Sequence, residues 1–204
     1  KAESVGITDL MFTSHYAKFR HYLASKDITQ ALFDQVKEMA AEEGISIRLY
    51  LGNEIDYDDE LLHYLEEDKV RTLGDSKYVL LDFGFKEYEI DDVIYELVVR
   101  GYKPIIAHPE RYRYIQGVEE FKKWRKTGAL LQVNASSLFG KHHEKRQVKL
   151  MLKHQLIDLV SSDVHKSTHT YDDFLKTKEY MEKKCDQAFV KRVFETNPLK
   201  IINR

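Results

Sequence analysis

Several things are missing from this sequence, and each absence narrows what the chain can be. In 204 residues there is one cysteine, Cys185. That excludes an internal disulfide framework and fits a reducing compartment, the cytoplasm. The cysteine lies in Lys183-Lys184-Cys185-Asp186, which reads as a helix end; it follows no strand and has no histidine close by, so a nucleophilic role is not indicated. No apolar run approaches the ~18 residues needed to span a bilayer, and no signal-peptide core opens the chain. Excess positive charge is absent too. Lys plus Arg number 32 against 34 Asp plus Glu, which leaves no electrostatic footprint for nucleic acid. There is also no initiator methionine. The opening Lys1-Ala2-Glu3-Ser4-Val5-Gly6 reads as the last turn of a helix closed by glycine. The expectation is one domain, 1–204, whose first strand and most of whose first helix precede the sequence given.

What is present is alternation. Apolar runs at Ile7–Phe12, Ile45–Leu51, Tyr78–Phe83, Lys103–Ala107, Ala129–Val133 and Leu156–Val160 read as strands. Between and after them fall helical patterns over about Asp27–Glu43 (Ile28, Leu32, Val36 and Met39 at helical spacing), Asp58–Glu67, Glu89–Arg100, Val118–Thr127, His143–His154, Tyr171–Lys183 and Asp186–Glu195. Strands alternating with helices imply a parallel α/β sheet with helices outside it. Six strands are readable and a seventh unit at the N-terminus would suit a distorted (β/α)7 barrel. A doubly wound open sheet is the alternative, but it calls for a glycine-rich phosphate loop after its first strand, and Gly52 and Gly84 stand alone.

Five of these runs lead into a residue able to hold a metal ion: His15 in Thr13-Ser14-His15, Glu54 in Gly52-Asn53-Glu54, Asp82, His108, and Asp163 with His165 in Ser161-Ser162-Asp163-Val164-His165. A parallel barrel gathers all such C-terminal ends on one face. Each residue alone has a bland reading, as a helix cap or a surface side chain; Asp163 and His165, two apart in extended chain, point the same way. Asp82 interrupts an apolar run, so its carboxylate must be paired, metal-bound or at the strand end. In His108-Pro109-Glu110-Arg111-Tyr112, Arg111 has the fork to grip two phosphate oxygens, or it packs over Tyr112 or Tyr114. Glu110 either orients Arg111, bonds His108 or is solvated. Carboxylates mixed with imidazoles, without thiolate, favour Mn, Fe or Zn. Two or three such ions make metal-assisted hydrolysis of a phosphate ester the default chemistry.

These strings, with Gln132-Val133-Asn134-Ala135-Ser136-Ser137, fall in the order found in the polymerase-and-histidinol-phosphatase (PHP) superfamily. The His-Pro-Glu-Arg-Tyr and Val-Asn-Ala-Ser-Ser strings resemble its branch of bacterial manganese-dependent protein tyrosine phosphatases, which act on tyrosine kinases controlling capsule and exopolysaccharide synthesis. The resemblance covers essentially the whole chain. It implies a distorted (β/α)7 PHP-type barrel, with His15, Glu54, His108, Asp163 and His165 as ligands for two or three Mn2+ ions. It also implies that Arg111 binds the phosphate of phosphotyrosine. The chain departs from the branch in three ways. It has no leading His-x-His pair; Asp82 stands where Glu is usual, as ligand or proton donor; and Lys166-Ser167-Thr168-His169 follows Asp163-Val164-His165 where a second Arg often comes. Two other readings stay open: a small-molecule phosphatase of the histidinol-phosphate type, and an inert domain that binds phosphoproteins.

Overall fold

The computed structural model describes residues 1–166 and 169–203. Six strands form one sheet: β1 (Asp9–Tyr16), β2 (Arg48–Asp56), β3 (Tyr78–Asp82), β4 (Lys103–Ala107), β5 (Leu130–Asn134) and β6 (Leu159–Ser161). Every neighbouring pair is parallel, and the spatial order is the sequence order. A doubly wound sheet reverses direction at a switch point. Here each crossover advances one strand the same way, which is the winding of a barrel. The helices are α1 (Lys26–Glu42), α2 (Leu61–Glu66), α3 (Ile90–Val99), α4 (Glu119–Thr127), α5 (His142–Lys153), α6 (Asp172–Lys184), α7 (Gln187–Lys191) and α8 (Asn197–Ile201). No described helix is long and apolar enough to cross a membrane. Local chemistry sets several of the ends. Ser25 caps α1 by accepting from the Ile28 amide, and Asp186 caps α7 by accepting from those of Ala188 and Phe189.

Strand periodicity sorts the side chains into two layers. Register partners in a parallel sheet share a face, and alternate residues change face. Leu80, Ile105 and Leu130 are partners across β3, β4 and β5; with Leu73, Ala107 and Leu159 they form an inner cluster against Met11 and Ile201 of α8. The alternate residues Val79, Leu81, Ile106, Leu131 and Val133 join a larger cluster with Ile94, Leu97, Phe121, Trp124 and Met151 from the covering helices. Beneath β5 and β6, the buried Asp158 accepts a two-pronged contact from Arg125 (2.9 and 2.8 Å) and a bond from the Leu131 amide, tying α4 to both strands.

The structure departs from the sequence reading in four places. β1 and β2 run on through Thr13-Ser14-His15 and Gly52-Asn53-Glu54, because those polar strings continue the ladder as partners: Thr13 with Gly52, Ser14 with Asn53, His15 with Glu54. The drop in hydropathy there marks a change of side chain, not the end of backbone pairing. β6 is shorter than expected, although Leu156 and Ile157 before it are buried. The opening turn is 3-10 rather than α, closed by Gly6 at φ 83°. The apolar stripe of α1 does not face the core: Ile28, Leu32 and Met39 are 56%, 55% and 62% exposed, whereas Thr29 and Phe33 are buried. α1 follows the edge strand and leans on the sheet by a narrow face.

Gly52 sits where β2 passes against the 72–73 backbone. A Cβ there would lie 2.7 Å from Leu73 Cδ2, 3.1 Å from Leu73 Cα and 3.2 Å from the Thr72 carbonyl oxygen. Gly52→Ala should therefore cost about 1–3 kcal/mol through overpacking. A thermal melt should fall by roughly 2–4 °C for each kcal/mol lost.

Candidate metal centre

The inner face of the sheet carries polar residues where the strands end. His15 and Glu54 are register partners, Glu54 is the partner of Leu80, and Asp82 lies two residues beyond Leu80. All four side chains therefore project on the inner side. His108 follows the last residue of β4. Glu54, Asp82 and His108 are buried, and one ligand atom of each lies within 4.8 Å of the others. His108 Nε2 is 3.2 Å from Glu54 Oε1, His108 Nδ1 is 3.8 Å from Asp82 Oδ1, and His15 Nε2 is 3.6 Å from Glu54 Oε1. The rings of His15 and His165 stand 5.1 Å apart. Asp163 accepts from Arg111 Nη2 (3.1 Å) and Asn134 Nδ2 (2.6 Å).

The electrostatics are those of crowded carboxylates around an imidazole. Burial alone would push the His108 pKa down, but the hydrogen bond to Glu54 and the charges of Asp82, Glu54 and Glu110 raise it to about 9. Glu54 feels the converse. Burial pushes it up, and the bond and charge of His108, with His15 and His165 further off, bring it net below the usual carboxylate range. Asp56, the register partner of Asp82, is raised by burial against the pull of Arg20. Glu110 is fully buried and raised for the same reason; it accepts from the Asn134 amide at 2.9 Å, so it braces the ends of β4 and β5 and is neither solvated nor bonded to His108. Two centre residues take left-handed backbone, His108 at φ 33° and Asp163 at φ 49°. For residues with a Cβ that conformation stores strain, which surrounding structure must hold.

The residues fit an ion. His108 Nδ1 is buried without a hydrogen-bond partner among the described residues, and it faces Asp82 Oδ1 across a gap too wide for a hydrogen bond. Ligand atoms on one ion with bonds near 2.0–2.2 Å stand roughly that far apart. Such a donor set, imidazole and carboxylate without sulfur, suits Mn, Fe or Zn.

A profile described as "Capsular polysaccharide synthesis, CpsB/CapC" matches residues 1–203. The chain belongs to the CpsB/CapC family. Among curated members, CapC of Staphylococcus aureus is 32% identical over 177 residues, 83% of this chain and 68% of that protein. The tyrosine-protein phosphatase CpsB of Streptococcus pneumoniae is 28% identical over 207 residues, 97% of this chain and 85% of that protein. A third, the tyrosine-protein phosphatase YwqE of Bacillus subtilis, is 30% identical over 166 residues, 78% and 65% of the two chains. A crystal structure from work on YwqE and CpsB, described as metal-dependent tyrosine phosphatases, superposes with a TM-score of 0.85 at 24% identity. It covers all of this chain and 84% of that one, and it establishes the shared fold.

All seven expected site residues meet in this one region of the CpsB/CapC chain, in two groups. Glu54, Asp82 and His108 form the buried cluster with His15 at its edge; Asp163 and Arg111 pair beside it, and His165 bridges toward His15. Arg111 faces Asp163, not Tyr112 or Tyr114. Of the segment after His165, Ser167 and Thr168 lie outside the described residues, and His169 Nδ1 accepts from the His165 amide at 3.4 Å. Arg20 and Asp56 were not singled out from sequence, although they meet Asp82 here: Arg20 contacts Asp56 at 2.9 Å and Asp82 at 3.5 Å. The alternation of β2 past Glu54 is the signal that would have found Asp56.

A raised His108 pKa fixes the sign of a pH dependence. Its stabilising contribution to the metal-free protein is complete below 6.5 and is lost as pH rises through about 9. An ion taken by His108 must displace that proton, so Mn2+ affinity should tighten across the same window with release of close to one proton per ion. Calorimetry of Mn2+ binding in buffers of different ionisation enthalpy measures both; a flat profile would mean that His108 is not a ligand.

Proposed function

We propose that this CpsB/CapC chain is a metal-dependent protein-tyrosine phosphatase of the bacterial cytoplasm, acting on a tyrosine-phosphorylated kinase of capsule or exopolysaccharide synthesis. The observation that carries the reading is the buried Glu54–Asp82–His108 cluster with the Arg111–Asp163 pair beside it. Its relatives CpsB of Streptococcus pneumoniae and YwqE of Bacillus subtilis, both tyrosine-protein phosphatases, support the substrate. His15, Glu54, His108, Asp163 and His165 are assigned as ligands of two or three ions, Mn2+ above Fe or Zn. When bound, such ions supply Lewis-acid polarisation of the phosphoryl group and a low-pKa water.

The chain's own residues do the rest. Asp163 holds Arg111 through one Nη2 contact at 3.1 Å. Among the described residues the other guanidinium N–H groups have no hydrogen-bond partner and can donate to phosphoryl oxygens, where positive charge is worth most as charge develops. Asn134 donates to the same Asp163 oxygen, which fixes that carboxylate from a second side. Asp82 would act beside Glu54 and His108 as a further ligand or as proton donor; its Oδ1 already accepts from the Gly84 amide at 2.7 Å, so its orientation is set before any ligand arrives. No covalent enzyme intermediate is required, since no nucleophilic side chain is needed to take the phosphoryl group.

The deciding assay is turnover of a phosphotyrosine peptide against histidinol phosphate, each with Mn2+. Hydrolysis of the peptide is expected; turnover of histidinol phosphate alone would sink the protein-phosphatase reading, and binding without turnover of either would point to an inert phosphoprotein-binding domain. Arg111→Ala should lower kcat/KM for the peptide by about 10²-fold or more while the metal content, measured by elemental analysis, stays at the wild-type level. Loss of metal in that variant would mean that Arg111 serves Asp163 rather than substrate.

A further inference from the structure

The hairpin that follows β1 is part of the centre, yet neither the proposed ligands nor Arg111 accounts for it. Ala17 and Tyr22 pair across it in antiparallel fashion, with N–O distances of 2.9 and 3.1 Å. A 3-10 turn over Lys18–Arg20 and a left-handed His21 (φ 58°) close it. The turn sends Arg20 back over the sheet. Arg20 Nε lies 2.9 Å from Asp56 Oδ2, and Nη2 lies 3.5 Å from Asp82 Oδ2.

These two contacts are unequal. The first is a close ion pair without hydrogen-bond alignment; the second is an aligned hydrogen bond at the outer limit of length. Asp56 and Asp82 are register partners on the face that carries Glu54, so the charge of Asp56, 2.9 Å from Nε, draws the guanidinium in beside the buried cluster. Among the described residues Nη1 has no partner and Nη2 has only the long bond to Asp82, so N–H donors remain at the mouth, where the side chain is half exposed. Arg111 is built on the same plan from the other side: one carboxylate of the rim, Asp163, holds it at 3.1 Å. Two anchored guanidinium groups thus flank the Glu54–His108 pair, one from the β2–β3 side and one from the β6 side.

We infer that Arg20 is a second phosphate-binding residue, gripping the phosphoryl oxygens of a phosphate monoester opposite Arg111, with Asp56 as its positioning residue. The inference rests on the phosphatase reading of the same centre. A dianionic phosphoryl group has three oxygens to satisfy, and a guanidinium fork is the side chain that matches two of them. A counter-ion role for Arg20, merely offsetting Asp56 and Asp82, uses the same contacts but gives Arg20 no part in phosphate affinity.

The test uses the Mn2+-loaded chain and inorganic phosphate as probe. Calorimetric phosphate affinity and bound Mn2+ are measured for wild type, Arg20→Ala, Arg20→Lys and Asp56→Asn, alongside KM and kcat for the phosphotyrosine peptide. Arg20→Ala should weaken phosphate and raise KM at least about tenfold with Mn2+ content unchanged. Arg20→Lys should recover part of the loss, and Asp56→Asn should fall between Arg20→Ala and wild type. Unchanged phosphate affinity in Arg20→Ala overturns the inference, as does a loss confined to Mn2+ content. A wild-type protein that hydrolyses no phosphotyrosine, yet binds phosphate in an Arg20-dependent way, overturns the activity reading and leaves this one standing.

Discussion

Four carboxylates, those of Glu54, Asp56, Asp82 and Asp163, stand at one end of a single sheet, and the rest of the site is arranged around their repulsion. Taking even one such charge out of water costs several kcal/mol unless it is paired. Each is met by a specific cation or donor. His108 faces Glu54, Arg20 faces Asp56 and Asp82, and Arg111 with Asn134 faces Asp163. The shifts at Glu54 and His108 are two views of one pair: the imidazole holds its proton to about 9 because the carboxylate beside it gives its own up early. A site so negative is a site for cations, and the compensating side chains keep it folded until they arrive.

Rigidity comes from below and beside. The inner layer of Leu80, Ile105 and Leu130 supports the polar layer directly. The Tyr112 hydroxyl donates to the Ala107 carbonyl and accepts from the Phe83 amide, each at 2.9 Å, so a single buried ring stitches the ends of β3 and β4. Glu110 does the same for β4 and β5 through the Asn134 amide. These braces hold His108 in its left-handed backbone, and they explain why the string His108-Pro109-Glu110-Arg111-Tyr112 acts as a unit. One residue faces the cluster, two fasten strand ends, and one reaches substrate in the reading proposed here.

Much of this is legible in the sequence itself. Strand–helix alternation and the missing glycine-rich loop pointed to barrel winding, and polar residues at strand ends pointed to the site. The less legible parts are instructive. Hydropathy stopped β1 and β2 too early, because His15 and Glu54 are polar residues inside a ladder, and pairing is a property of two strands rather than of one segment. Helical spacing of Ile28, Leu32, Val36 and Met39 identified α1 correctly but not which face is buried, since that depends on what lies beside an edge strand. Arg20 and Asp56 escaped notice because their meeting joins a hairpin after β1 to the end of β2 across 36 residues of sequence. Glu110 was ambiguous for the opposite reason: its partner is a backbone amide, and backbone donors leave no mark in sequence.

The sequential strand order has one more consequence. The residues of the centre come from five strand–helix units, those of β1, β2, β3, β4 and β6, and no two adjoining units contain the whole set. In the reading proposed here, any local opening that separates β1 from β2, or β6 from β5, would take the proposed ligand set apart while leaving most of the polypeptide's hydrophobic contacts intact. Occupancy by metal would thereby be tied to cooperativity of the entire domain, and bound ions would fasten together ends of the chain that no covalent link joins.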